Sequence, residues 1–139
     1  MNTYNVSDIN FVNSDLYQNY IKENPGEGYL KIRASAASGA IPISGLRVVV
    51  SKIIENSNVI FFDGVTDNSG VIERIVLPTP RLGDSDLVTP SGVVYNISTM
   101  YEPDDLMGNY QVEMYEGVFV VQNIGIVPKT FGMGGYNGS

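Results

Sequence analysis

The amino-acid sequence predicts an all-β protein: a seven-stranded antiparallel β-sandwich with a short N-terminal extension. From Gly28 to Pro78 apolar residues recur at every second position, at Leu30, Ile32, Ala34 and Ala36, then Leu46, Val48 and Val50, then Ile60 and Phe62. Alternation of that period marks strands with one buried face. Two turn clusters divide the runs, Ser38-Gly39 with Pro42 and Ser44-Gly45, then Asp67-Asn68-Ser69-Gly70. The pattern returns from Val93 to Pro128, which puts turn signals about ten residues apart, the spacing of a sandwich.

Residues 1–27 form a polar extension rich in Asn, Asp and Tyr. Ser14-Asp15 is placed to cap a short helix from Leu16 to Lys22, which Asn24-Pro25-Gly26 would end. The sandwich domain, residues 28–128, reads as strands near 28–37, 45–54, 58–66, 71–77, 93–101, 110–116 and 118–127. The Thr66–Gly70 stretch is the best hairpin signal, because Asn and Gly tolerate the left-handed conformation of tight turns. Leu77-Pro78-Thr79-Pro80 ends the fourth strand, since proline cannot donate to a ladder. Residues 78–92 then read as a long loop and 129–139 as a Gly-rich tail. Leu30, Ile32, Val48, Val50, Phe62, Leu77, Ile97 and Val112 are the expected core.

The 139-residue chain suits one domain. Its formal charge of −7, with eight scattered basic residues, argues against nucleic acid, whose phosphates need clustered Lys and Arg. No run reaches the ~18 apolar residues of a membrane span, so membrane insertion is not expected. The N-terminus lacks the basic and apolar regions of a secretory signal. With no Cys and no His, thiolate zinc sites are excluded and the commonest general base and metal ligand is missing. Asp63, Asp67, Asn68, Asp84, Asp86, Asp104 and Asp105 supply oxygen ligands without any dedicated calcium-loop spacing. No catalytic, cofactor or metal residue is therefore expected, and no cofactor. Of nine tyrosines, Tyr95, Tyr101 and Tyr110 lie on strand faces, where ring packing competes with a sugar-stacking role.

The run Gly28-Tyr29-Leu30-Lys31-Ile32, then Gly39 to Leu46, the Thr66–Gly70 turn, the Leu77–Pro80 exit, Tyr95-Asn96-Ile97 and the closing Val127-Pro128 together resemble the carboxypeptidase regulatory-like domain. That domain is a transthyretin-like (broadly Ig-like) β-sandwich, and the likeness runs to its short single-domain versions in spore-forming Firmicutes. Tyr115-Glu116-Gly117 stands where the family has a Gly-Tyr pair. The resemblance implies a non-catalytic accessory or surface module.

The functional expectation is a structural subunit that assembles with copies of itself into a surface filament or particle layer, a spore appendage or coat or a virion component. It would be made in the cytoplasm and end in an extracellular or particle-surface assembly. The expected contacts are the apolar residues of the two termini, Val6, Ile9, Phe11, Val12, Leu16 and Tyr20, with Phe131, Met133 and Tyr136. The alternative is a module binding a glycan or a cell-envelope polymer. An enzyme is not expected.

Overall fold

Strand β2 (Gly26–Ala36) shows the period-two pattern most plainly: Leu30, Ile32, Ala34 and Ala36 are all buried, while Glu27, Lys31 and Arg33 face outward. The computed structural model describes residues 1–82 and 92–127. Two sheets pack face to face, each giving alternate apolar residues to a shared core. The all-β sandwich is as the sequence predicts.

In chain order the elements are β1 (Thr3–Asn5), α1 (Ile9–Val12), α2 (Asp15–Glu23), β2, β3 (Ile41–Pro42), β4 (Arg47–Ile54), β5 (Ser57–Val65), β6 (Val71–Thr79), β7 (Val93–Tyr101), β8 (Leu106–Met114) and β9 (Phe119–Gly125). One sheet has the order β1-β5-β4-β7-β8. The other places β6 and β3 in line along one side of β2 and β9 along the other. The handover from β6 to β3 is visible at Ala34, whose N–H donates to Gly70 and whose carbonyl accepts from Ile43. Two pairings are parallel, β1 with β5 and β2 with β9, so the sandwich departs from the purely antiparallel expectation. No helix among the described residues is long and apolar enough to cross a membrane.

The hairpin lies elsewhere than expected. Thr66–Gly70 joins β5 to β6, which belong to different sheets, so this turn carries the chain across the sandwich. Asp67 holds it by accepting from the N–H groups of Ser69 and Val71. The tight hairpin is β4–β5, closed by Glu55 and Asn56 at φ 46° and 64°, the doubly left-handed geometry of a two-residue turn.

Seven of the eight expected core residues are buried, and Phe62 is the correction. Val50 pairs with Phe62 but Ser51 pairs with Ile60, so Phe61 is an extra residue in a bulge. The alternation slips there by one position. Val59 and Phe61 enter the core, Ile60 does not, and the Phe62 ring packs from the margin over Gly64. A second bulge, opposite Lys31, turns both Glu73 and Arg74 outward. Strand β6 runs on through Pro78, which an edge strand tolerates. Strand β8 begins at Leu106 rather than near 110, because the short turn Glu102–Asp104 ends at once in left-handed Asp105.

The N-terminal 27 residues are built into the fold. Strand β1 pairs along β5. Helix α2 is capped by Ser14, with Asp15 in its first turn and Lys22 in its last, both favourable to the helix dipole. Rings then form a continuous path: Tyr4 stacks on Phe11 at 4.8 Å, Phe11 meets Tyr17, and Tyr17 and Tyr20 both meet Phe61. Phe61 ends the path edge-on against Tyr95 at 5.1 Å.

This geometry makes Phe61 the strand's principal anchor. Phe61→Ala is expected to cost about 3–5 kcal/mol and Phe62→Ala roughly 1 kcal/mol, read from denaturant midpoints. Equal losses would show that the bulge does not decide which ring is inside.

Candidate interaction surface

Most of the expected assembly residues are used inside their own chain. Phe11 and Tyr20 belong to the core, and Val6 and Leu16 pack against it. Val12 is half-buried, and Ile9 alone of this set is open to solvent, at 72%. The idea of an N-terminal arm free to reach a neighbour is thereby corrected: its apolar residues cover the end of the sandwich. Phe131, Met133 and Tyr136 lie outside the described residues.

The tyrosines behave similarly. Tyr95 is fully buried, and Tyr101 and Tyr110 pack against the core, so none of the three offers an open stacking face. The Tyr20 and Tyr95 hydroxyls meet at 2.8 Å, and Tyr95 donates onward to the Pro78 carbonyl at 2.5 Å. The buried pair ties α2, β7 and β6 together. Burial pushes the Tyr20 phenol up to about 12 and raises Tyr95 further.

The carboxylates have structural partners. Asp63 receives two hydrogen bonds from Arg47, at 3.0 and 2.7 Å, which hold its carboxyl below the ordinary range. Asp67 caps the crossing turn. Among the described residues no three Asp or Glu side chains gather to hold a metal. Asp84 and Asp86 lie outside the described residues.

What remains open is the four-stranded sheet. On its outer face Tyr29 stacks on Phe119 at 4.7 Å, and the Arg74 guanidinium lies 4.3 Å from the Tyr29 ring. Lys31 pairs with Glu73 at 3.4 Å, and Arg33 follows on the same strand face. Three basic residues that look scattered in the sequence thus share one face. Beside them β9 forms the edge, with Phe119 68% and Val121 47% exposed. At the far end of β9 lies an open groove of about 630 Å³, lined by Arg33, Ser35, Asn123, Gly125 and Ile126 among others.

Phe119 and Val121 were absent from the expected contacts, yet the sequence carried a signal. No charged residue occurs between Glu116 and Lys129, so the strand in that run lacks the charge that commonly guards a sheet edge.

The protein is therefore an all-β two-sheet sandwich with an uncharged edge strand that, among the described residues, is paired on one side only. No family model and no curated protein matches the sequence. Among solved structures the chain is similar to the 5-hydroxyisourate hydrolase of Klebsiella pneumoniae, at 17% identity over 73% of this chain and 90% of that one, with a TM-score of 0.47.

The tyrosine pair sets an alkaline limit. Both phenols ionise less readily folded than unfolded, so their contribution is whole below the unfolded value of 10.0 and is lost as pH rises. For Tyr20 the loss runs from 10.0 to about 12, at about 1.4 kcal/mol per pH unit. Denaturant titrations at pH 9 and 11.5 should show this fall, reduced in Tyr20→Phe. An identical fall in both proteins would remove Tyr20 as its source.

Proposed function

We propose that the protein is a non-catalytic structural subunit that assembles with copies of itself into a filament or a particle surface layer, as on a spore or a virion. The finer family assignment, a transthyretin-like domain of the carboxypeptidase regulatory type, belongs to this proposal and rests on the sequence resemblance. The observation that carries the reading is strand β9. A sheet edge presents a row of unpaired N–H and C=O groups, and monomeric proteins blunt such rows with charge, proline, bulges or brevity. Strand β1 is three residues long, β6 carries a bulge with Glu73, Arg74 and Pro78, and β8 carries Glu113. Strand β9 has none of these devices. Glu113 guards only the end of β8; its start, where Met107 is exposed six residues away, offers the second contact that would extend pairs into a chain.

Light scattering and negative-stain microscopy over a range of concentrations test this reading. Concentration-dependent assembly without any ligand is expected. A strict monomer at the highest attainable concentration would end it.

A second reading, a module for a glycan or cell-envelope polymer, is favoured by the Tyr29–Phe119–Arg74 cluster, which joins rings to a cation on an exposed face. Pulldown with acidic polysaccharide or peptidoglycan should then retain the protein, and Tyr29→Ala or Arg74→Ala should release it. No retention by either polymer removes this reading.

A further inference from the structure

We infer that β9 pairs antiparallel with β9 of a second copy, about a two-fold axis through Gln122; this rests on the self-assembly reading above. The backbone geometry defines which groups are available. Tyr29 N–H donates to the Val118 carbonyl at 3.0 Å, and Ile126 N–H donates to the Ser35 carbonyl at 2.9 Å. Along a strand, backbone groups alternate from side to side. The even-numbered residues of β9 are therefore turned toward β2, and the N–H and C=O of Phe119, Val121, Asn123 and Gly125 face the open edge.

An antiparallel partner centred on Gln122 pairs all of them. Phe119 comes opposite Gly125 of the second copy and Val121 opposite its Asn123, each as a hydrogen-bonded pair, while Gln122 meets its own counterpart as a non-hydrogen-bonded pair. Centring on any other residue leaves part of the seven-residue strand unpaired. Side chains select the same register. Phe119 is the most exposed large apolar residue of β9, and a Cβ on Gly125 would meet nothing within 4 Å. The groove of about 630 Å³ opens at that glycine. The two-fold lays each Phe119 ring along the bare backbone of the other copy's Gly125, an aromatic–glycine pairing that suits strands. On the inner side Val120 comes beside Ile124 of the second copy.

Charge and area agree with a second copy as the occupant. Each chain carries −7, so copies repel over most of their surface, and β9 is a strand on which no ionisable residue sits. Lys31 and Arg33 would stand three strand spacings, about 14 Å, from the second copy's basic residues, beyond the Debye length of about 8 Å at physiological salt. Seven residues span about 24 Å along an edge roughly 20 Å deep, which buries about 500 Å² per copy, about 1,000 Å² in all. That lies at the lower bound of specific interfaces, so pairing should depend on concentration.

The chain contains no cysteine, which makes disulfide trapping selective. Full-length Gln122→Cys should oxidise to a covalent dimer, because a non-hydrogen-bonded pair brings Cα atoms to about 4.5 Å, within disulfide range. Asn19→Cys, on the exposed face of α2, is the control and should remain monomeric. A mixture of Val121→Cys and Asn123→Cys chains should cross-link between unlike chains, and neither should cross-link alone. Val121→Lys, at an exposed position, should weaken association about tenfold or more by the device that protects natural edges. Three outcomes count against the pairing. If assembly is seen but the thiol at position 122 does not cross-link and Val121→Lys changes nothing, this register fails while the self-assembly reading stands. If the full chain stays monomeric and that thiol resists a small thiol reagent, both fail. Capture of a different protein by β9, with no self-cross-link, also overturns it.

Discussion

Strand β2 fixes the geometry on which the other elements depend. Its inward residues Leu30, Ile32, Ala34 and Ala36 are wholly buried, and its backbone is paired on both sides. A strand so placed cannot slip by one residue without moving every apolar side chain to the solvent face. It therefore sets the register of β6 on one side and β9 on the other. The start of the strand is fixed by close approach: a Cβ on Gly28 would sit 2.9 Å from the Tyr115 carbonyl. That contact positions the turn at 115–118 and delivers β9 parallel to β2. Because β9 is the last described strand and nothing among the described residues lies beyond it, the same register decides which backbone groups face outward.

The N-terminal segment completes the opposite side. Strand β1 covers the edge of β5, and α2 presses Tyr17 and Tyr20 onto Phe61. The bulge is what makes this possible, since it turns Phe61 inward, where an unbroken strand would have pointed it away. Leader and bulge are coupled: without the rings of α2, Phe61 would line an unfilled end of the core, and without Phe61 the helix would have little to pack on. One sheet is thus closed at β5 by the chain's own beginning, whereas among the described residues the other sheet has no such cover at β9.

Much of this was legible in the sequence and the remainder was not, for identifiable reasons. Period-two patterning gave the faces of β2, β4, β7 and the second half of β8, because burial on one face leaves a regular trace. It misplaced Phe62 because a bulge adds a residue without any compositional mark. It read Asp67–Gly70 as a hairpin because turn chemistry reports local backbone shape and is silent on whether the next strand joins the same sheet. It missed the true hairpin because Glu55-Asn56 contains no glycine. The apolar residues of the N-terminal extension stand out in the sequence, but a sequence does not say whether such residues meet their own core or another chain. The edge character of β9 was hidden for a like reason: the uncharged run is visible, whereas its having a neighbour on one side only is a property of topology.

That last point bears on why the strand is uncharged. A strand buried on both faces needs apolar residues on both and can exclude charge for packing alone. Strand β9 is not enclosed in that way: Phe119 stacks on Tyr29 yet stays 68% exposed, and Val121 is open to solvent, so packing within the chain supplies little reason to keep Val121 apolar. Elsewhere this chain places charge freely on outward positions, as at Glu27, Lys31, Arg33, Glu73, Arg74 and Glu113. Val121 is an exposed position, where a lysine would have room and would guard the edge as well. A sequence that uses the remedy on neighbouring strands and omits it here is one in which the open edge has a use, and pairing with an identical edge is the use that employs its backbone groups, its exposed ring and its glycine together.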